Sequence, residues 1–277
     1  MSLELILWGT RGDISSPGPE LLEFGGYTPC GTVKDNKGNL IILDAGFGLA
    51  HFSDHLGKPV SEYHILLSHF HWAHIQGLGF FLPIFLPFVT VHFYSAYPTK
   101  ELETALDMYF DGSYGPFNGY KSMPAKLEFH LLKKTQMING FKVDIAPLFH
   151  NDPCHAFKIS KGRKSIVYAA NHEVSDLPRA QKNNQKFIKF CEKTDILIHD
   201  AFYTEEEYEL KKGMGHSSMA AAVNNGIVAR CKKILLFYHE PLRTDKELTR
   251  LETKLQKVHS KERIDIEFAR EKRIFTV

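Results

Sequence analysis

The sequence predicts a single α/β domain over residues 1–277, with β-sheets at its centre and helices outside. A chain of 277 residues, 43% of them hydrophobic, is long and apolar enough to bury a large core. Short apolar runs typical of strands dominate its first part, and later runs alternate with amphipathic helical patterns. No linker, low-complexity stretch or short-period repeat divides the chain, so we predict one domain.

Strands are predicted where short apolar runs are bounded by glycine, proline or polar turn residues. The four residues from Asp35 to Gly38 form such a turn signal between CGTVK and NLIILDAG. The other predicted strands are LELILW, YHILLSH, VTVHFY, KLEFHLL, FKVDIAPL, HAFKIS, SIVYAA, DILIHD, KILLFYH and IDIEFAR.

Helices are predicted where apolar residues recur at helical spacing. In TKELETALDMYF, Thr99 is a plausible N-cap, because a threonine hydroxyl can accept from the first backbone amides of a helix. The other predicted helices are AGFGLAHFSDHLG, LPRAQKNNQKFIKFCEK, TEEEYELKK, SSMAAAVNNGIVARC and TDKELTRLETKLQKV.

The stretch GLGFFLPIFLPFVTVHFY, from Gly77 to Tyr94, imitates a membrane span. Pro83 and Pro87 interrupt any helix there, and the run barely reaches the ~20 residues that a spanning helix needs. We therefore predict a short helix, a proline-bounded loop and a strand, with no membrane segment. The apolar loop belongs either to the core or to an exposed patch used for homodimerisation.

Composition narrows the function class. The formal net charge of +2 does not imply a strongly basic nucleic-acid surface, although it leaves a nucleic-acid substrate open. No two cysteines have C-x-x-C spacing, which excludes a zinc ribbon and a thioredoxin motif and favours reduced thiols at Cys30, Cys154, Cys191 and Cys231. The start of the chain has no signal-peptide pattern, so we expect a cytoplasmic protein.

Polar residues directly follow several predicted strands, where the ligands of α/β folds collect. His69, Asn171, Asp200 and His239 are in such positions. The stretch SHFHWAHIQGL adds His71 and His74 to His69, a spacing typical of metal sites.

Taken together, these motifs resemble the metallo-β-lactamase superfamily, and most closely its ribonuclease Z-like and cyclic-nucleotide phosphodiesterase-like hydrolases. The resemblance spans nearly the whole chain, and an ordered set of motifs is far more specific than a lone H-x-H. It rests on WGTRGDISSPGPELLEFGGYTPC, LDAGFG, SHFHWAHIQGL, APLFH, VYAANHE and LLFYHEP, in that order. It implies a four-layer αββα sandwich with two metal ions at one edge.

The resemblance also implies the ligands. The first ion would take His69, His71 and His150, whereas the second would take His74, His239 and the aspartate of an H-x-H-x-D-H motif. A further aspartate would bridge both ions. This chain has Ala73 in place of the motif aspartate and Asn171 in place of the bridging one.

The two replacements remove negative charge from the centre. With a bridging hydroxide, two divalent ions would carry a net charge of about +3 instead of about +1, at a separation of ~3.5–4 Å. We therefore expect the second site to be weak or empty. Three histidines still suit one zinc ion, with manganese or iron as alternatives.

Two functions remain open. The first is a metal-dependent hydrolase that acts on a phosphodiester or related small ester through a metal-activated water. The second is a catalytically inactive relative that binds a ligand or a partner. The retained histidines favour the first, and the missing carboxylates favour the second.

The resemblance gives three further residues a role. His216 would assist proton transfer to the leaving group, and Asp44 and Asp200 would orient the groups at the active-site rim. Ordinary alternatives exist for these and for two of the ligands: a helix-capping loop histidine, a turn aspartate, a hydrogen-bonded relic for His74 and a turn residue for Asn171. His155 and His172 are also near enough to the motifs to serve as substitute ligands.

The substrate side depends on the stretch DMYFDGSYGPFNGYKSMP, from Asp107 to Pro124. Its aromatic residues either stack on a substrate base or cationic group, or simply pack the loop against the sandwich. They are Tyr109, Phe110, Tyr114, Phe117 and Tyr120.

Overall fold

A computed structural model of the chain describes residues 2–113 and 116–277, and within them the backbone forms two seven-stranded mixed sheets. Tyr114, one of the predicted substrate-loop aromatics, lies outside the described residues. The first sheet contains β1 (Leu3–Gly9), β2 (Cys30–Asp35), β3 (Leu40–Leu43), β4 (Glu62–Leu66), β5 (Thr90–Ser95), β6 (Lys126–Leu131) and β14 (Ile274–Thr276). Its spatial order is β14-β1-β2-β3-β4-β5-β6.

The second sheet repeats the same plan with the later strands. It contains β7 (Thr135–Ile138), β8 (Phe141–Leu148), β9 (Cys154–Lys161), β10 (Lys164–Ala169), β11 (Ile196–Asp200), β12 (Lys233–Phe237) and β13 (Asp265–Phe268). Its order is β13-β12-β11-β10-β9-β8-β7. In both sheets an antiparallel part continues into three consecutive parallel pairings, β3 to β6 and β10 to β13.

The helices cover the outer faces of the sheets. They are α1 (Gly48–Asp54), α2 (Thr99–Tyr109), α3 (Pro178–Cys191), α4 (Glu205–Lys211), α5 (Met219–Val228) and α6 (Asp245–Val258). Threonine hydroxyls and glutamates form capping boxes at the starts of α4 and α6, which stabilises both boundaries. No helix among the described residues is long and apolar enough to cross a membrane.

Three apolar layers hold these elements together. Residues of both sheets, such as Leu5 and Phe157, form the layer between the sheets. A second layer, with Phe93 and Leu102, joins the first sheet to α2, and a third, with Phe187 and Leu236, joins the second sheet to α3. Side chains alternate along each strand, so one face of each sheet packs against the other sheet and the opposite face packs against helices. This arrangement is the predicted αββα sandwich.

Each helix predicted from the sequence is present. The structure differs from the other predictions at two points and agrees with them at a third. The short edge strands β7 and β14 were not predicted, because four and three residues carry little periodicity. Thr99 is the first residue of α2 and not its cap; Pro98 precedes it without a capping side chain. The four cysteines are buried and free, as expected.

Part of the apolar stretch from Gly77 to Tyr94 lies in the core, and part of it is exposed. It forms short 3-10 turns followed by β5. Phe81 and Ile84 are fully buried, whereas Phe80 and Phe88 are 58% and 61% exposed.

The topology places the chemically interesting residues at one edge. Strands β3 and β4 run parallel, as do β10, β11 and β12, so their carboxyl ends meet on the same side. Asp44, Ser68, Asn171 and Asp200 lie at or just after those ends.

Candidate metal centre

Three imidazoles converge at this edge of the sandwich. One ligand atom from each of His69, His71 and His150 lies within 4.8 Å of the others. The His69 ring centroid is 4.5 Å from that of His71 and 5.2 Å from that of His150. His69 is fully buried and His71 is exposed, so the cluster is enclosed by protein on one side and accessible to solvent on the other.

In each ring one nitrogen is engaged by the protein, which leaves the other nitrogen free. His69 Nδ1 lies 3.0 Å from Ser68 Oγ, and His69 Nε2 has no partner. His71 Nε2 donates to the Asp152 carboxylate at 2.7 Å, so His71 Nδ1 keeps its lone pair. His150 Nδ1 lies 3.3 Å from the Asp152 carbonyl, and the tautomer that donates to it leaves the Nε2 lone pair for a ligand.

The Asp44 carboxylate organises the floor of the cluster. It accepts from the Ser68 amide at 2.7 Å, the Ser68 hydroxyl at 2.8 Å, His74 Nδ1 at 2.7 Å and the Tyr168 hydroxyl at 2.8 Å. Because the Ser68 hydroxyl donates to Asp44, it must accept the proton on His69 Nδ1. Asp44 thereby sets the tautomers of both His69 and His74.

Burial keeps His69 and His150 neutral. It lowers the pKa of His69 well below its usual value, and the neighbouring imidazoles lower it further. Burial and the nearby His216 lower the pKa of His150 to about 4. Neutral imidazoles are the form that binds a metal, so both rings are ready to do so near pH 7.

His216 lies beside this cluster, with its ring centroid 5.9 Å from that of His150. Its Nδ1 lies 2.7 Å from the buried Asp200 carboxylate, so the Nδ1 proton points to Asp200 and Nε2 faces away from it. Burial lowers the pKa of His216, but the Asp200 charge and hydrogen bond more than offset this, and the pKa is raised. A histidine held this way carries a proton over a wider pH range.

The loop that carries His216 is fixed by a buried carboxylate that the sequence did not single out. Glu173 accepts from the amides of Gly213 and Gly215 at 2.8 and 2.9 Å and from the Tyr208 hydroxyl at 3.0 Å. Gly215 has a φ of +89°, and a Cβ there would lie 2.6 Å from the His150 ring. Glycine is therefore required where this loop passes His150.

The donor set fits a metal ion. The Nε2 atoms of His69 and His74 are buried without hydrogen-bond partners, and their rings lie 4.2 Å apart. Buried polar atoms without partners are costly, and a bound cation would satisfy these lone pairs. Three imidazole nitrogens match the usual ligands of zinc.

Comparisons with known proteins agree with this architecture. No protein-family model matches the chain, and no curated protein matches it either. Among solved structures, the metallo-beta-lactamase fold protein YhfI from Bacillus subtilis has a TM-score of 0.72 and 16% identity, over 100% of both chains. The chain has the metallo-β-lactamase fold.

Two further structures support the same assignment. A diphosphatase from the PhnP family has a TM-score of 0.70 and 16% identity, covering 99% of this chain and 97% of its own. Human tRNase Z in its short form has a TM-score of 0.63 and 14% identity, covering 98% of each chain. The predicted superfamily resemblance is confirmed at the level of the metallo-β-lactamase fold.

Within this fold, positions 73 and 171 lie close to the cluster but provide no carboxylate. Ala73 is buried in the 3-10 turn that contains His74. Asn171 is buried after β10, and neither atom of its amide has a hydrogen-bond partner. The Asn171 amide lies beside the Tyr238 hydroxyl.

The predicted ligand His239 follows β12, and its ring contacts Phe24 and Phe268. Its Nε2 donates to the Ala269 carbonyl at 2.8 Å, and its buried Nδ1 has no hydrogen-bond partner. Burial, aided by Arg11, lowers the pKa of His239 to about 3. The preceding residue, Tyr238, has a φ of +64° and places its ring beside His74.

Tyr238 fills space beside the candidate ligands. Its ring is nearly parallel to that of His74, at 5.5 Å and 8°, and to that of His216, at 5.1 Å and 20°. Its hydroxyl accepts from the Asp13 amide at 3.2 Å. No sequence pattern indicates this position, because an apolar strand that ends in Tyr-His does not reveal which ring turns inward.

The predicted substrate-loop aromatics pack against the sandwich. Phe110 is fully buried, and the Tyr109 hydroxyl is occupied by the Gln76 carbonyl and the Gly79 amide. Phe117 stacks on Phe85 and Tyr120 lies edge-on to Phe129. Stacking on a substrate is therefore the wrong prediction for Phe110, and the packing alternative accounts for the described members of this set.

His172 is also placed away from a ligand role. Its Nδ1 accepts from the Phe149 amide at 3.1 Å, and its Nε2 donates to Asn184 Oδ1 at 3.1 Å.

The role of Asp152 at the rim of the cluster was not predicted from the sequence, because a single aspartate two residues after a histidine is common in turns.

Proposed function

We propose that this protein is a metal-dependent hydrolase of small phosphodiesters or related esters, with one firmly held metal ion. The observation that carries this proposal is the convergence of three free imidazole nitrogens, on His69, His71 and His150, at the open edge of the sandwich. Zinc fits this set best, and manganese or iron are the alternatives.

A zinc ion with three histidine ligands lowers the pKa of a bound water to about 7 and polarises a phosphoryl oxygen. The protein's own residues would do the rest. Asp44 and Ser68 hold His69 in the tautomer that presents Nε2, and Asp152 does the same for Nδ1 of His71. Fixed ligands of this kind need no rearrangement when the ion binds.

His216 would supply the proton that the leaving group needs. Its Nδ1 proton is held by Asp200, so the proton on Nε2 is the one available to a substrate in the cleft. The Asp200 charge favours the protonated ring, which makes His216 a suitable general acid near neutral pH.

A second ion would be held weakly. His74 offers a free Nε2 and His239 a buried Nδ1 without a partner, but Ala73 and Asn171 provide no negative charge. Repulsion between two close divalent ions would then be poorly offset.

A second candidate function follows from the same observation. If the single ion does not suffice for hydrolysis, the cleft binds a ligand without turning it over. Tyr238, stacked beside His74 and His216, favours this alternative because it narrows the space for a second ion.

Metal content and hydrolysis distinguish the two. The metal-free protein should bind zinc at the candidate centre and hydrolyse bis(p-nitrophenyl) phosphate, and His71→Ala with His150→Ala should remove that zinc, about one ion per chain, and abolish hydrolysis. His55→Ala, at an exposed histidine directly after α1, serves as the control and should change neither. Binding of one zinc ion without hydrolysis of this substrate or of cyclic nucleotides would support the binding protein.

A further inference from the structure

A second group of histidines lies in the first sheet, apart from the candidate metal centre. His92 on β5 is paired in register with Glu128 on β6, and His130 follows Glu128 by two residues. Side chains two residues apart on a strand share a face, so these three residues project from the same side of the sheet. All three are partly buried, with side chains 15%, 32% and 35% exposed in the order His92, Glu128, His130.

Three polar atoms of this group form a small triangle. His92 Nδ1 lies 3.1 Å from His130 Nε2 and 3.2 Å from Glu128 Oε2. The third side, from His130 Nε2 to Glu128 Oε2, measures 3.6 Å. Two ligands about 2.0–2.1 Å from a tetrahedral zinc ion are about 3.4 Å apart, so all three sides suit one coordination face.

One hydrogen bond joins the triangle without a metal: His92 Nδ1 and His130 Nε2 are 3.1 Å apart, so one of them donates to the other. Glu128 Oε2 only accepts, and its 3.6 Å separation from His130 Nε2 is too long for a hydrogen bond. A cation at the centre would contact lone pairs of all three atoms.

The surroundings favour the same occupant. Lys126 binds the other oxygen of Glu128 at 2.6 Å and leaves Oε2 free. The Lys126 hydrogen bond lowers the pKa of Glu128, and burial together with His92 lowers the pKa of His130. A charged carboxylate and a neutral imidazole are the protonation states that a metal ligand requires.

The geometry points to a separate metal site, distant in sequence from the candidate metal centre. It is formed by His92, Glu128 and His130 and binds zinc or a similar ion with water in the fourth position. Two imidazoles and one carboxylate on adjacent strands suit zinc, nickel or copper better than magnesium or calcium. The ion would join β5 to β6 near the edge of the first sheet. The site does not depend on the proposed hydrolysis.

Calorimetric titration with zinc alone tests this site. The background is His71→Gln with His150→Gln, which removes the candidate metal centre, and the metal-free protein is used throughout. This background should still bind about one zinc ion per chain. Adding His130→Gln should weaken the remaining binding at least tenfold, and adding Glu128→Gln should do the same. His55→Gln is the matched control and should leave it unchanged.

Circular dichroism establishes that each variant is folded, and the partial exposure of His130 and Glu128 makes this the expected result. Cobalt gives an independent readout: the background variant should show the intense visible bands of a four-coordinate ion, and His130→Gln should lose them. The inference is overturned if the background binds no zinc, or if its binding survives both His130→Gln and Glu128→Gln.

Discussion

Three carboxylates each hydrogen-bond to one imidazole at the candidate centre. Asp44 holds His74 and Asp152 holds His71, each at 2.7 Å. Asp200 holds His216 at the same distance. Each pair fixes which ring nitrogen faces the cleft. The carboxylate thereby determines which nitrogen can bind a metal ion or donate a proton.

The Asp152 contact gives the first prediction. Asp152→Ala should lower the zinc affinity of the candidate centre by about 10- to 100-fold, because His71 would no longer be held in the tautomer that presents Nδ1. The free energy of unfolding should barely change, since both side chains are about half exposed. Competition with a zinc chelator measures the affinity, and the exposed Asp54→Ala is the control. An unchanged affinity would contradict the role given to Asp152.

His216 gives a prediction that depends on the leaving group. His216→Ala should slow hydrolysis of a phosphodiester with an alkoxide leaving group by about 10²- to 10⁴-fold. The effect on bis(p-nitrophenyl) phosphate should be small, because its leaving group departs without a proton. Steady-state rates on both substrates provide the test. Equal losses on both would show that His216 holds the site together instead of donating a proton.

The two lost carboxylates can be restored. In a His130→Gln background, which removes the separate proposed zinc site, Ala73→Asp with Asn171→Asp should raise zinc content from about one ion per chain toward two, because both changes lower the charge of a two-ion centre. Each single change should do much less, since both carboxylates would serve the second ion. Metal analysis after dialysis measures the outcome. A double variant that still holds one ion would contradict this expectation.

The residues of the site were predictable from the sequence to different degrees. His69, His71 and His150 could be named from motif order, and the structure brings them together. The position of the Tyr238 ring beside His74 could not, because no local pattern indicates a positive φ at Tyr238. Asp152 and Glu173 act through hydrogen bonds that form only once the chain has folded.

At the scale of elements, the turn between β2 and β3 is tied to the opposite sheet. The Asp35 carboxylate accepts from the amides of Lys37 and Asn39 at 2.8 and 3.0 Å, and it forms an ion pair with Lys161 of β9. Burial raises the pKa of Asp35, but Lys161 and the amides lower it more, to about 2. One side chain therefore closes a hairpin and joins two sheets.

The pH dependence of this contact follows from the sign of the shift. A carboxyl whose pKa is lowered on folding stabilises the protein above its unfolded pKa of 3.8, and the stabilisation disappears as pH falls toward 2. Asp35→Asn should lower the free energy of unfolding by about 1–3 kcal/mol at pH 7 and by progressively less below pH 4. Urea unfolding across this range measures the difference. A deficit that stays constant down to pH 2 would rule out the ionised carboxylate as its cause.

The long elements were predicted well, and the two short edge strands β7 and β14 were not. The amphipathic helices α3 and α6 have fourteen residues each, and their periodicity is strong enough to read. The strands β7 and β14 form because they pair with β8 and β1, respectively. Their own residues do not predict a strand. Pairing of this kind is a tertiary property that a local pattern does not contain.

At the scale of the whole molecule, the candidate centre spans both sheets. His69, His71 and His74 follow β4 of the first sheet, and His150 follows β8 of the second. An ion bound there would link the two halves of the sandwich, in addition to the apolar layer between them. Metal binding and sheet docking are therefore coupled.

This coupling predicts a kinetic effect. Saturating zinc should slow unfolding of the protein in urea by a large factor and leave refolding nearly unchanged, because the ligands meet only after the sheets have docked. Stopped-flow fluorescence with and without a chelator gives both rates. Removing the centre with His71→Gln and His150→Gln should abolish the effect on unfolding. Zinc that speeds refolding to the same degree would mean that the ligands meet before the sheets dock.

The same arrangement sets an order of events during synthesis. His69, His71 and His74 leave the ribosome together, early in the chain, whereas His150 follows after another strand-rich segment and His216 later still. A nascent chain that ends before His150 holds only part of the first ligand set. The cell would thus load the ion onto a chain that is already more than half made, and proton donation would be added last.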